Sequence, residues 1–492
     1  MKSILGSSLS AVRIAAVLAL VSGCLQAQTA SDPAEGNWIG SIGDTNNSSA
    51  ICLEIVRGPD GRLLAYYSLE QLNLYHSLMD GFQVADGHYT ATGGIDLQLK
   101  DGKLAGRSAS KRQLVLERAD KPLTDPPIPT ELPLGPGPRW RAKLGGAIYA
   151  PATVRGGFAY VGTTSGHLNA VRLADGTVAW HFPAGRPIFG GALATYDELY
   201  FVCDNGYLFK LARAVGKELW RYDLGGERTP RLLPDPNEQS PDGFDSNAPT
   251  PVLADGVLYV GSADGSFHAV RAETGERVWR FESKGQIRTT AAVSGANVIF
   301  STLGGLIHSI ERATGREVWK FDTQTAGVTA PALISGRLII GARNSLLYGM
   351  EPATGTIQWK LSFWGSWVES TAIDGGDGLA YIGSSDLRRI TCFDPNDGRI
   401  VWKTDVFGDP WGKPVLSGKY LYDGTSALTP YLMREEGGVV ALNRQTGKLA
   451  WRWPLPNPPG TYAYGFAASP TLSDGLLLMG AVDGTLYAFP TD

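Results

Sequence analysis

This chain lacks any large excess of charge of one sign. Lysine and arginine number 44 against 48 aspartates and glutamates, a formal net charge of −4. The two signs are interspersed, so no basic face is available and nucleic acid is excluded as a partner. Cysteine is scarce, at four residues in 492, and no Cys-x-x-Cys-His is present to attach a haem. No His-Glu-x-x-His zinc motif, no Gly-x-Ser-x-Gly elbow and no glycine-rich phosphate loop ahead of a helix occurs. Long apolar runs are missing too. The longest, Ile14 to Val21, is too short to cross a bilayer.

That run belongs to a targeting signal. Lys2 and Arg13 supply positive charge ahead of it, and it ends in Val21-Ser22-Gly23-Cys24, a sequence like a bacterial lipobox. Residues 1–23 would be removed and the Cys24 thiol would carry the lipid. Cleavage after Leu25-Gln26-Ala27 is the rival reading. The expected location is the periplasm or outer membrane, with lipid as the only membrane attachment.

What is abundant is glycine, at 62 residues, together with 13 tryptophans, while only 19 % of residues are charged. That is the composition of an all-β protein rich in turns. Seven prolines between Ala119 and Pro138 divide it. Residues 119–137 read as a stiff spacer unable to join a sheet. Before it, residues 34–118 form a small β domain, with strands expected over Ala50–Val56, Arg62–Tyr67, Ile95–Leu99 and Leu114–Arg118. Its opening Gly36-Asn37-Trp38-Ile39-Gly40 resembles the small β domain ahead of some secreted serine hydrolases.

Residues 138–492 repeat. Trp140, Trp180, Trp220, Trp279, Trp319, Trp359, Trp402 and Trp451 are spaced by 40, 40, 59, 40, 40, 43 and 49 residues. A period near 40 is that of a four-stranded propeller blade. In the clearest unit Leu258 to Gly261 is a strand, Asp264-Gly265 a turn, Ser266 to Arg271 a strand, Thr274-Gly275 a turn and Glu276 to Trp279 the outer strand. The last unit stops after Phe489 without a tryptophan strand, whereas Pro138 to Arg141 is such a strand with no blade before it. The expectation is therefore an eight-bladed β-propeller closed by an N-terminal strand that completes the last blade.

Ala269, Thr274-Gly275 and Trp279, matched by Ser309, Thr314-Gly315 and Trp319 and by Ala441, Thr446-Gly447 and Trp451, resemble the pyrroloquinoline-quinone-like propeller repeat over about 355 residues. Members of that family include quinoprotein alcohol dehydrogenases and a propeller lipoprotein of the outer-membrane β-barrel assembly machinery. The resemblance specifies fold rather than function.

Insertions and extra aromatics collect on the loops that follow outer strands or join second and third strands, which share one face. An aromatic rim of Trp364, Trp367, Trp411 and Tyr464 beside Arg288, Glu369 and Lys413 is expected there, as a surface for a protein or glycan. A dehydrogenase of the family would instead hold the quinone (PQQ) over calcium, with Glu369, Asn247, Asp245 and Arg288 as candidates. The adjacent cysteines many such enzymes carry are absent. First choice is a non-catalytic binding module without cofactor; the alternative is a PQQ- and calcium-dependent alcohol dehydrogenase. Cys52, Cys203 and Cys392 are read as buried free thiols, and His268 and His308, equivalent in successive repeats, as core.

Overall fold

The computed structural model describes residues 31–491, apart from 45–46, 93, 109–112, 128, 130, 226–246, 365, 386 and 429–433. Cys24, the leader and Asp245 lie outside the described residues.

The N-terminal domain is a single antiparallel sheet of nine strands between Gly36 and Ala119. Gly36–Asp44, next to the central strand, pairs with Asn47–Arg57 on one side and with that central strand, Gln113–Ala119, on the other. The sheet curls because one face is apolar throughout: Trp38, Leu53, Ile55, Leu97, Leu104 and Leu116 fill its core. All four expected strands are present, within three residues at each end.

The rest is a ring of eight four-stranded blades. Each runs from a short inner strand outward. The middle two strands lie between neighbouring blades, so both faces are covered and they read as unbroken apolar runs, such as Leu258 to Val260 and Leu338 to Ile340. The outer strands alternate instead, as in Glu317–Asp322. The ring closes as expected: Trp140–Lys143 pairs antiparallel with Thr485–Pro490, Arg141 opposite Tyr487, and supplies the eighth blade's outer strand. Closure leaves only the short outer edges of the blades open.

A joint between blades has fixed parts. The Trp279 indole donates to the carbonyl of Arg312, 33 residues on, at 2.8 Å, and Trp319 does the same to Pro352 at 2.9 Å. Each indole lies over the turn between third and outer strands of the next blade. Gly315 occupies that turn with φ +75°, and a Cβ there would stand 2.9 Å from Trp279. Thr-Gly and Trp thus belong to one contact made across two repeats.

The proline-rich spacer differs from expectation. Pro133 to Gly135 lies along the outer strand of blade seven, Leu449–Pro454: Gly135 donates to Arg452 O at 2.8 Å, and Arg452 N donates to Pro133 O at 3.1 Å. Proline forbids only donation from its own nitrogen, and here Pro133 contributes a carbonyl. The last blade has no turn glycine to receive Trp451, because its outer strand comes from the other end of the chain. Gly135 takes that place, so close that a Cβ would fall 2.2 Å from the indole.

Candidate functional site

The inner strands converge on a central channel, and a rule visible in the repeat decides what faces it. In four blades a glycine at or next to the end of the second strand receives a branched apolar side chain from the following blade. Ile287 packs on Gly261, Ile188 on Gly162, Val368 on Gly341 and Ile148 on Gly480, each within 2.4 Å of where a Cβ would be. Backbone bonds from Ile287 N to Ser262 O and from Ile188 N to Thr163 O fix the same crossing. The next residue in each case, Arg288, Phe189, Glu369 and Tyr149, lines the channel.

These residues surround a cavity of about 610 Å³. Its wall includes Tyr149 and Phe189, with ring centroids 5.6 Å apart, and Asn247, Arg288, Glu369, Trp411 and Lys413. Five residues singled out in the sequence thus share one wall. Arg288 is almost wholly buried, and its Nε donates to Gln286 Oε1 at 2.9 Å. Glu369 receives two bonds from Arg343, from Nε and Nη2, both 2.7 Å. That guanidinium lies 4.2 Å from the Trp367 ring, so aromatic face and carboxylate hold it together. The Lys413 backbone N–H donates to Ser469 Oγ at 2.9 Å. Removal from bulk water holds its ammonium below the usual lysine pKa, and the same cause pushes the Tyr149 phenol up to about 12.

The expected aromatic rim is not a single surface. Trp411 is on the cavity wall, but Trp367 is half-buried beneath Arg343. Tyr464 is buried, in a short strand, Ala463–Gly465, that adds to blade seven by pairing with Ser426–Leu428. Trp364 meets the N-terminal domain: its indole donates to Asn47 Oδ1 at 2.6 Å, while Asn47 Nδ2 donates to Ser362 O at 2.6 Å. Trp364 had looked available only because the blade itself does not use it.

The small domain therefore docks on the looped face, over blades five and six. Leu72 packs into their shared apolar cluster. Arg389, largely buried, donates to Gln71 O at 2.7 Å and Glu70 O at 2.8 Å, satisfying carbonyls of the short 3₁₀ turn Glu70–Leu72. Arg388, 1 % exposed, pairs with Asp405 at 2.8 Å and with Asp125 of the spacer at 3.6 Å. Arginines inside repeats gave no sign of a second domain in the sequence.

The wall does not fit a calcium–quinone centre. Calcium needs several oxygen ligands, whereas Glu369, the sole carboxylate lining the cavity among the described residues, is committed to Arg343. Among the described residues no group of three or more His, Cys, Asp or Glu is placed to hold a metal ion. Cys52, Cys203 and Cys392 are buried and unpaired. Burial raises the thiol pKa of Cys203 to about 11 and of Cys392 to about 12. His268 is brought down to about 4 by desolvation and bonds the Tyr222 hydroxyl inside the sheet.

Comparison with known proteins gives three findings. A family model described as outer membrane protein assembly factor BamB matches residues 137–232, 204–303, 263–375 and 386–492. A protein of that name from Legionella pneumophila (strain Paris) is 26 % identical over 147 residues, 30 % of this chain and 33 % of its own length. The match thus spans a third of that relative. Among solved structures, quinohemoprotein alcohol dehydrogenase from Comamonas testosteroni superposes with TM-score 0.53 at 16 % identity, over 72 % of this chain and 76 % of that one. Saccharomyces cerevisiae Sqt1 does so with TM-score 0.57 at 13 % identity, over 73 % and 100 %. At such identities the two structures share only the propeller fold with this chain.

Proposed function

Because the chain belongs to the family described as outer membrane protein assembly factor BamB, we propose that it is an exported, non-catalytic scaffold of outer-membrane assembly that binds a protein through its looped face. The observation that carries this is the family match, which runs through nearly the whole propeller. The site chemistry supports it: among the described residues the cavity wall holds no nucleophile–base pair, and its one carboxylate is neutralised by an arginine. The small domain occupies the sector over blades five and six, which leaves the mouth around Trp411 and the remaining loops for a partner. A glycan is the second kind of ligand such a face would take.

Attachment to the membrane through lipid on Cys24 is part of the same proposal. Cys24→Ser should release the protein from the membrane fraction or leave it unprocessed; processing insensitive to globomycin would remove the lipid from the account. The partner is tested by cross-linked pull-down from native envelopes. Trp411→Ala should weaken capture of the recovered partner by about thirtyfold, the effect of losing an aromatic anchor of about 2 kcal/mol. Unchanged capture would rule out the channel mouth as the contact surface.

A further inference from the structure

Six histidines occur in the chain, and four of them have partners within the fold. His76 pairs with Glu54 at 2.9 Å, His88 with Asp96 at 2.7 Å and His308 with Glu317 at 2.7 Å. His268 bonds the Tyr222 hydroxyl at 3.1 Å. The other two, His167 and His181, meet each other on blade one. His167 opens the third strand, His167–Arg172, and His181 lies in the outer strand, Val178–Pro183. Antiparallel pairing sets His167 opposite Pro183 and His181 opposite Asn169. The two imidazoles are therefore diagonal neighbours on one face of the blade.

Their geometry is that of two ligands waiting on one ion. The ring centroids are 5.3 Å apart and the ring planes stand at 81°. An ion held about 2.0–2.1 Å from one nitrogen of each ring would place the ring centres on the order of 5 Å apart. The strands already hold that spacing, and His181, which is exposed, needs only to turn its ring. His167 is oriented from behind: its Nδ1 lies 3.2 Å from Ser165 Oγ, which in turn lies 2.8 Å from Thr163 Oγ. A hydroxyl that accepts from Nδ1–H leaves the lone pair on Nε2, as in imidazoles that bind metals.

We infer that His167 and His181 form a site for a divalent transition-metal ion, with Nε2 of His167 and one ring nitrogen of His181 as ligands and water completing the shell. Imidazole suits copper, zinc and nickel, whereas magnesium and calcium want oxygen, and the usual order of affinities puts copper(II) first. The site borders the seam of the ring. Val171, on the same face of its strand as His167, packs with Ala142 of the closing strand. A bound ion ties the outer strand of blade one to its third strand beside that joint. The inference needs neither the family match nor a partner on the loops, so it stands independently of the scaffold reading.

The test is calorimetric titration with copper(II) and with calcium. The protein is the full chain carrying Cys24→Ser, which leaves the buried Cys52, Cys203 and Cys392 as its only thiols. A single equivalent of copper should bind and calcium should not. Ser165→Ala should weaken copper binding about tenfold, because the partners of a metal-bound imidazole are worth roughly 10–100-fold in affinity. His167→Ala and His181→Ala, which remove a ligand outright, should each cost more than about a hundredfold. Electron paramagnetic resonance of the copper form should show coupling to nitrogen that is reduced in either variant. Copper should raise the melting temperature of the parent chain and leave that of His181→Ala where it is. His88→Ala, at a histidine already paired with an acid, should change nothing. Undiminished copper binding in either His167→Ala or His181→Ala overturns the inference. So does loss of the copper equivalent in His88→Ala, or the absence of copper binding at roughly millimolar concentration.

Discussion

The joints between successive blades and the seam that closes the ring use the same tryptophan but not the same glycine. At a regular joint, indole and turn come from neighbouring repeats, as Trp279 meets Gly315 and Trp319 meets Gly355. At the seam, Trp451 meets Gly135, which arrives from the other end of the propeller sequence. The regular joint also has an indole hydrogen bond, to Arg312 or Pro352. The Trp451 indole nitrogen is buried without an acceptor among the described residues. Shape complementarity is therefore preserved at the seam while the polar contact is lost. Close packing is the stricter requirement of a ring, and the hydrogen bond supplements it.

Removing the seam should have the largest effect. A chain beginning at Ala147 lacks the strand that pairs with Thr485–Pro490, and should lose most of its stability and aggregate through the bared edge. A chain beginning at Pro136 keeps that strand, loses Gly135, and should show a clear but smaller drop in melting temperature. Equal melting of the two would mean that the N-terminal strand does not close the ring.

A regular joint should be next. Trp319→Ala removes a large side chain from between blades and should cost about 3–5 kcal/mol. Trp411→Ala, on the channel wall, should leave the melting temperature nearly unchanged. If both fall equally, Trp411 is a packing residue as well.

Asp423, in the second strand of blade seven, lies close to Gly412, within 3.2 Å of where a Cβ would stand. It is fully buried, with Oδ2 unbonded, and desolvation raises its carboxyl pKa well above the ordinary value. A raised folded pKa stabilises the protein below the unfolded pKa of about 3.9, and that contribution is lost as pH climbs toward the folded value. Asp423→Asn should therefore stabilise the protein at neutral pH and have little effect in acid, as followed by melting temperature against pH. A constant difference across that range would show that ionisation is not the cause.

The finest comparison is Trp319→Phe against Trp451→Phe. Both lose ring area, but only the first also loses an indole hydrogen bond, so it should be the costlier by about 1 kcal/mol. Chemical denaturation of both variants reads the difference.

The propeller was legible because its signals recur. Tryptophan near every fortieth residue and a glycine four residues before it report contacts that recur from blade to blade. The incomplete first and last units pointed to their own pairing. The channel wall was half legible: Arg288 and Glu369 stood out as charged residues, whereas Tyr149 and Phe189 were not singled out, although each follows the same branched residue that packs on a neighbouring glycine. Domain docking left no such trace. Trp364, Asn47, Arg388 and Arg389 each occur once, in segments whose composition suits an open surface equally well. Only spatial proximity links them.

The route of the spacer has a mechanical meaning. A pull on the N-terminal domain is met first by the contacts that Arg389 and Arg388 of blade six make with that domain and the spacer, and then by the paired backbone of Pro133 to Gly135 along blade seven. The closing strand at Trp140 lies downstream of both. Tension is taken up by fastenings spread over two blades before it can peel the strand that keeps the ring shut, so the molecule can be tethered from that end without being unzipped.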